Sequence, residues 1–270
     1  MTFFNLFLLA VIQGVTEFLP VSSSGHLILL PALTSLEDQG LVIDVAVHVG
    51  TLFAVIFYFR RDVALGLSGV PDLLRWKIDN QGAWLALCLV IATIPVVIVG
   101  FILKITGAME AMRSIAVIGW MMIIFGIILY IADRNGKSHK VTENWSLRDA
   151  LILGLWQAVS LIPGTSRSGI TMTAALFVGM SREGASRFAF LLSIPVIFLA
   201  GALETRTLMA LSADIDWLML GAATVVSGIS AYLCIHYFLA FIRRIGMQPF
   251  VVYRVVLGVI LLSIFWRPFG

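Results

Sequence analysis

Long apolar runs separated by short polar breaks dominate this chain, and the runs approach the length of a membrane span. A helix needs about 20 apolar residues to cross the hydrocarbon core of a bilayer. Six segments meet or approach that length: 42–59, 84–103, 115–132, 187–204, 217–237 and 249–266. The pattern predicts an all-α polytopic membrane protein with six transmembrane helices.

Two further apolar regions, about 3–32 and 148–181, are interrupted midway by clusters of Pro, Ser and Gly. Each half is too short to span comfortably. Irregular backbone at membrane depth is tolerated only where it is buried in protein or lines a wet cavity. We therefore expect two re-entrant helical hairpins, each a helix, a break and a second helix that returns to the side of entry.

The two breaks carry the same polar motif. The first reads Pro20-Val21-Ser22-Ser23-Ser24-Gly25-His26, and the second reads Gly164-Thr165-Ser166-Arg167-Ser168-Gly169. A constant offset aligns Ser22 with Ser166 and Gly25 with Gly169, and the helices that lead into the motifs align at that offset too. The chain is thus predicted to be one integral membrane domain, 1–270, with internal repeats at about 1–132 and 148–270 and a linker at 133–147.

The order of elements makes the second repeat inverted. A hairpin leaves the chain on its original side and three spans carry it across, so the next hairpin enters from the opposite side. Interrupted apolar segments at matching positions in two inverted halves are typical of a binding site near the bilayer midplane. We therefore expect the two hairpin tips to meet inside the membrane.

Composition and charge agree with a membrane protein. Hydrophobic residues make up 60% of the 270 positions and charged residues only 12%, with a net charge of +3. No basic patch interleaved with aromatic residues is present, so a nucleic-acid partner is not expected. The sequence also lacks a GxGxxG, Walker, HExxH or CxxC motif. We therefore expect neither a nucleotide nor a tightly bound transition metal.

The distribution of Lys and Arg predicts the topology. If the loops at 60–83, 133–148, 182–187 and 238–248 are cytoplasmic, they hold twelve basic residues against four on the other side. This bias follows the positive-inside rule. Both termini are then extracytoplasmic.

The first hairpin supplies an acid, a hydroxyl and an imidazole. Gln13 and Glu17 share a helix face, and Ser23 and His26 are three residues apart, so they also share one. The serines following Pro20 are good helix caps, and a helix N-terminus attracts anions. Capping alone would explain a lone serine, but clustered ionisable groups inside a membrane favour a functional site.

The second hairpin supplies Arg167, whose planar guanidinium suits a phosphoryl group or a carboxylate. A structural salt bridge between Arg167 and Glu17 is an alternative, and both interpretations are compatible. Gly164 and Gly169 allow the backbone to approach a ligand closely.

Four other polar residues lie within predicted spans. Asp44, His48 and Thr51 share one face, which either lines the cavity or bonds to a neighbouring helix. Arg254 lies about one turn inside the last span, where snorkelling or a contact with backbone carbonyls is the favoured interpretation.

At these motifs the sequence resembles the undecaprenyl-diphosphatase family of bacterial inner membranes, the bacitracin-resistance type. The resemblance rests mainly on the runs Gln13 to His26 and Pro163 to Gly169. Weaker matches occur at His48-Val49-Gly50-Thr51, in the run from Arg187 to Pro195, and in the run from Pro249 to Arg254.

The resemblance implies hydrolysis of a C55 polyprenyl diphosphate to the monophosphate and phosphate, which recycles the lipid carrier of cell-wall synthesis. It also implies an active site open to the periplasm and a requirement for Mg²⁺ or Ca²⁺, with Glu17 and Gln13 as the metal-binding positions. Many members have glutamate where this chain has Gln13, and an amide is a weaker cation ligand than a carboxylate. Catalytic roles carry over to Glu17, Ser23, His26 and Arg167.

We expect the diphosphate to enter between the hairpin tips while its tail follows apolar helix faces among the membrane lipids. The tip residues expected to bind it are Ser22, Ser24, Gly25, Thr165, Ser166, Ser168 and Gly169. In this hypothesis Ser23 attacks the terminal phosphorus and His26 accepts its proton, while attack by His26 or by water stays open.

A secondary transporter or polyprenyl-phosphate flippase is the rival, because inverted repeats with broken helices are also typical of transporters. A homodimer is left open by the sequence.

Overall fold

The computed structural model describes residues 3–23, 25–27, 40–136, 145–210 and 216–265. Eleven helices lie in these ranges: α1 (Phe3–Thr16), α2 (Gly40–Tyr58), α3 (Arg60–Leu74), α4 (Gln81–Ile105), α5 (Ala108–Ala111), α6 (Ile115–Asn135), α7 (Leu147–Val159), α8 (Arg167–Phe177), α9 (Arg182–Ala210), α10 (Trp217–Ile245) and α11 (Gln248–Phe265). Within the described residues all six predicted apolar segments form helices, and the all-α polytopic class is confirmed.

The number of spans by length and composition is four in the described part of the chain: α4, α6, most of α9 and α10. It rises to five if α2 and α3, which meet at an angle of 88°, form one broken span. The sixth predicted segment is the apolar helix α11. Its stretch Gln248–Ser263 is shorter than a membrane span. Six spans therefore stays a prediction.

Helix α3 was not expected, since residues 60–83 were predicted as a loop. Its Gly66 and Gly69 are buried against the start of α4. Asn80 then caps α4 by accepting a hydrogen bond from the backbone N–H of Ala83 at 2.8 Å. The short, weakly apolar character of α3 hid it from a search for spans.

The predicted loops at 182–187 and 238–248 belong largely to α9 and α10, so these helices are longer than their apolar runs. The charged residues at these ends are tolerated because they form ion pairs. Arg182 binds Asp133 at 2.6 Å, Arg243 binds Glu183 at 2.5 Å, and Arg187 binds Asp62. These pairs join four segments predicted to share one membrane side, and the structure places all four at one end of the molecule.

Helices of one half of the chain pack on helices of the other half. Helix α1 of the first hairpin packs on α10, and α7 of the second hairpin packs on α4. Helix α2 packs on α10 as α9 packs on α4, while α6 and α11 pack on each other. A duplicated, inverted chain would give these pairings, and they bring the two breaks together. The exact repeat boundaries stay a prediction, because much of the linker lies outside the described residues.

Candidate active site

The breaks that follow α1 and α7 have the same local geometry. Ser22 and Ser166 both have positive φ angles, 77° and 71°, which non-glycine residues rarely adopt. Each hydroxyl accepts a hydrogen bond from the backbone N–H three residues later, in Gly25 at 3.3 Å and Gly169 at 3.1 Å. The aligned residues are therefore equivalent helix caps. A helical segment follows each of them.

Glu17 is the centre of the polar cluster. Its side chain is 6% exposed and accepts three hydrogen bonds. Gln13 donates at 2.9 Å and the Ser23 hydroxyl at 2.7 Å to one carboxylate oxygen, and Arg167 donates at 2.5 Å to the other. The salt bridge considered as an alternative from the sequence is thus present, and it joins the two hairpins.

The tip of the second hairpin is also fixed to the first through the backbone. The Ser168 hydroxyl donates to the carbonyl of Leu19 at 2.7 Å and lies 3.2 Å from the Ser166 hydroxyl. Gly169 has no room for a side chain, because a Cβ there would lie 2.8 Å from a guanidinium nitrogen of Arg254. Close contact between the tips therefore depends on small residues.

Three buried polar atoms at this junction have no hydrogen-bond partner among the described residues. They are Oε1 of Gln13, Oγ1 of Thr165 and Nη1 of Arg167. Buried polar groups in folded proteins are nearly always satisfied by protein or by water. One guanidinium nitrogen of Arg167 is consequently left for a ligand oxygen, even with Glu17 bound to the other.

Both ring nitrogens of His26 have partners other than Ser23. Its Nδ1 lies 2.7 Å from the carbonyl oxygen of Ser22, which only accepts, so Nδ1 carries the proton. Its Nε2 lies 2.5 Å from the hydroxyl of Tyr253, and the two rings are stacked with centroids 5.7 Å apart. The Ser23 hydroxyl donates to Glu17, so a proton transfer from Ser23 to His26 does not match this arrangement of side chains.

Tyr253 was missed by the sequence analysis, which singled out only its neighbour Arg254 in that run. A tyrosine beside a buried arginine was the available signal, but the direction of its ring depends on α11. The structure is needed to show that its hydroxyl caps the unprotonated nitrogen of His26.

Arg254 is fully buried and bonds to backbone carbonyls, as one of the two favoured interpretations expected. It donates to Thr165 at 2.8 Å, to Gly164 at 3.1 Å and to Pro20 at 3.3 Å. It also reaches the carbonyls of Met121 and Met122 in α6 at 3.3 Å. One side chain from α11 therefore holds both tips and α6 together.

Helix α2 brings His48 to the rim of the cluster, with Nε2 4.0 Å from a carboxylate oxygen of Glu17. Its Nδ1 lies 2.7 Å from the carbonyl of Asp44, and the Thr51 hydroxyl donates to the carbonyl of His48. The face shared by these residues thus lines the site at His48. Ser24, the remaining predicted substrate-binding residue, lies outside the described residues.

The oxygen atoms that could act as metal ligands at this site fit a resident divalent cation poorly. Mg²⁺ and Ca²⁺ need about six or more oxygen ligands, whereas both oxygens of Glu17 already accept hydrogen bonds, one from a guanidinium. Within the described ranges, no three His, Cys, Asp or Glu side chains form a group that would hold a metal. Among the described residues, Oε1 of Gln13, four positions before Glu17, is a buried oxygen without a hydrogen-bond partner.

The fold and the site together define a polytopic α-helical membrane protein with a buried polar site where two broken helices meet. Residues 6–260 match the family model described as bacitracin resistance protein BacA. The chain belongs to this family.

Curated relatives match over nearly the full length. The chain is 55% identical to an undecaprenyl-diphosphatase of Jannaschia sp. (strain CCS1), over 98% of this chain and 99% of the relative. It is 54% identical to that of Dinoroseobacter shibae, with the same coverage, and 48% identical to that of Nitrosococcus oceani, over 98% of this chain and all of the relative. The resemblance inferred from the motifs is confirmed.

Proposed function

We propose that this protein is an enzyme that hydrolyses undecaprenyl diphosphate to undecaprenyl monophosphate and inorganic phosphate. The relatives at 48–55% identity carry the name of this activity. The observation that carries the proposal is the hydrogen-bonded set of Ser23, Glu17 and Arg167 across the two tips. It combines a nucleophile, a proton acceptor and a phosphate-binding cation, which passive passage of an anion does not require.

Arg167 and the helix starts would bind the terminal phosphoryl group. The unpartnered Nη1 of Arg167 can donate to a phosphoryl oxygen without first breaking the bond to Glu17. The N–H groups that open the helices after Ser22 and Ser166 add further donors. Donors held in place before the reaction stabilise the charge on a transferring phosphoryl group.

Ser23 is proposed as the nucleophile, with Glu17 as the acceptor of its proton at 2.7 Å. The Ser23 oxygen would form a bond to the terminal phosphorus as the anhydride bond to the leaving monophosphate breaks. Water would then attack the phosphoserine, and the serine would regain its proton as phosphate leaves. His26 and a water molecule remain the alternative nucleophiles.

The cation implied by the family resemblance is proposed to enter with the diphosphate, whose oxygens would supply most of its ligands. Gln13 and Glu17 are its proposed protein neighbours. The site is proposed to open to the periplasm, with both termini on that side, because the opposite end of the molecule carries most of the basic residues.

The test is phosphate release by purified protein in detergent with C55 polyprenyl diphosphate and added Mg²⁺ or Ca²⁺. We expect release by the wild type and almost none by Arg167→Ala, while Arg206→Ala, at an exposed position, retains it. Absence of release by the wild type would support the transporter or flippase.

The nucleophile is tested separately. A burst of phosphate and a trapped phosphoserine at Ser23 would support serine attack, and a Ser23→Ala variant with full activity would rule it out.

A further inference from the structure

An apolar groove of about 550 Å³ lies between α2, α3, α4 and α9. This volume is within the range of about 300–1,000 Å³ that is usual for small-molecule sites. Along α4 its lining extends from Ala86 to Ile98, about 18 Å at ~1.5 Å per residue. The groove is thus long and narrow, a shape that suits a chain.

The lining is almost free of polar groups that could bind a polar ligand. Its two polar side chains are Thr93 and Asp62. The Thr93 hydroxyl donates to the carbonyl of Leu89 within α4, and Asp62 forms an ion pair with Arg187. The exposed wall residues Val90 and Ile94 lie in a membrane span, so the groove opens where the hydrocarbon of the bilayer would be. An apolar chain is the occupant that this chemistry fits.

The groove lies close to the polar site along α2. His48, Leu52 and Ile56 are four residues apart and therefore share one helix face. His48 is beside Glu17, whereas Leu52 and Ile56 line the groove. The groove therefore starts about one helical turn along α2 from His48, the residue beside the carboxylate.

A second contact places α9 beside the segment that carries Glu17. The ring of Phe18, the residue after Glu17, packs edge-on against Phe190 with centroids 5.3 Å apart. The next residue of α9, Leu191, forms part of the groove. A lipid whose head group binds at Glu17 and Arg167 thus has an apolar groove nearby for its tail.

We infer that this groove holds the isoprenoid tail of the substrate and makes activity depend on chain length. The inference rests on the proposed function. It predicts that narrowing the groove weakens binding of a long-chain substrate without impairing the chemical step.

The experiment compares C10 and C55 isoprenyl diphosphates in mixed micelles for the wild type and for Ile94→Trp, which places a bulky ring on the groove wall. Val90→Trp is the second variant, since residue 90 is half exposed and tolerates added volume. Ile229→Trp is the matched control, because Ile229 is 58% exposed on α10 and lies outside the groove.

We expect both groove variants to raise the KM for the C55 substrate at least about tenfold, the equivalent of ~1.4 kcal/mol. The kcat for C55 and the kcat/KM for C10 should stay close to those of the wild type, and the control should match it throughout. An equal loss on both substrates, or no loss on either, would overturn the groove as the tail site while leaving the proposed function intact. Failure of the wild type to release phosphate from either substrate would instead refute the proposed function, and this inference with it.

Discussion

The residues around Glu17 divide into satisfied and unsatisfied groups. The carboxylate accepts three hydrogen bonds, yet neighbouring polar atoms of Gln13, Thr165 and Arg167 are buried and find no partner in the part of the chain that the structure describes. Leaving a buried donor or acceptor unpaired costs about 1–3 kcal/mol. A ligand that formed hydrogen bonds with these three groups would recover that cost as binding energy.

Replacing Arg167 with lysine tests the role of the planar fork. Arg167→Lys keeps a positive charge but cannot bond Glu17 and a phosphoryl oxygen through two parallel nitrogens. We expect kcat for phosphate release to fall about 10²-fold, the lower end of the loss for one charge-stabilising donor. Steady-state kinetics on C55 diphosphate measures it, with the exposed Arg206→Lys as control. Wild-type kcat in Arg167→Lys would contradict a geometric role for the guanidinium.

The pair of His26 and Tyr253 gives a prediction about reactivity. Tyr253→Phe keeps the stacked ring but removes the hydroxyl that caps Nε2 of His26. Because diethylpyrocarbonate attacks an unprotonated ring nitrogen, His26 should be modified several-fold faster in this variant. Mass spectrometry of the labelled peptide measures the rate, with His48 as an internal reference.

Tyr237→Phe is the matched control, since Tyr237 is 67% exposed on α10 and should leave the rate at His26 unchanged. Equal rates in wild type and Tyr253→Phe would show that the hydroxyl does not protect the nitrogen.

At the scale of elements, the two breaks are rigid because their ends are bonded to each other and to α11. Caps with positive φ at Ser22 and Ser166 set the direction of each new helix. Arg254 then supplies donors for carbonyls that a broken helix leaves without a partner. Irregular backbone at membrane depth needs such satisfaction by protein.

Arg254→Met removes these donors while preserving much of the side-chain volume. Several buried carbonyls would lose their partner, so we expect the free energy of unfolding to fall by at least about 3 kcal/mol. At roughly 2–4 °C per kcal/mol for a chain of 150–250 residues, the midpoint of thermal unfolding in detergent should drop by about 6–12 °C or more.

Arg244→Met, at the exposed end of α10, serves as the control and should unfold within a degree or two of the wild type. An unchanged midpoint in Arg254→Met would show that the carbonyls find other partners.

At the scale of the whole molecule, the ion pairs of Arg182, Arg187 and Arg243 mark one end of the bundle, and the exposed turn around α5 lies between the far ends of α4 and α6. The positive-inside rule predicts that the ion-paired end is cytoplasmic.

Cysteine labelling tests this orientation. In a background without Cys88 and Cys234, Glu110→Cys should react with a membrane-impermeant maleimide in intact spheroplasts. Arg75→Cys should react only after permeabilisation. Both positions are exposed, so access across the membrane decides the outcome. The reverse pattern would place the ion-paired end outside the cytoplasm and overturn the proposed periplasmic opening of the site.

Much of the fold could be predicted because span length and interruption are local properties of sequence. Each apolar run became a helix, and both Pro/Ser/Gly clusters became breaks. Helix α3 was missed because its burial depends on contacts of Gly66 and Gly69 with α4, not on its own apolar length. The N-terminal extension of α9 was missed because its charged residues are stabilised by partners distant in sequence.

The site was predicted in composition but not in its bonding. Glu17, Ser23 and Arg167 stood out because ionisable groups and hydroxyls are rare in apolar sequence. The partner of each hydroxyl and ring nitrogen depends on rotamers and on α11, so neither the bond from Ser23 to Glu17 nor that from Tyr253 to His26 was visible.

By itself the sequence determined that this chain enters a membrane, that it contains a duplicated polar break, and which side chains are too costly to leave unpaired in hydrocarbon. These follow from hydrophobicity, repeat alignment and the chemistry of single residues. Only the tertiary structure decided that the two breaks touch, that Arg254 holds them together, and that an apolar groove begins one helical turn from His48, beside Glu17. Those relations arise from the packing of helices far apart in sequence, which no local pattern encodes.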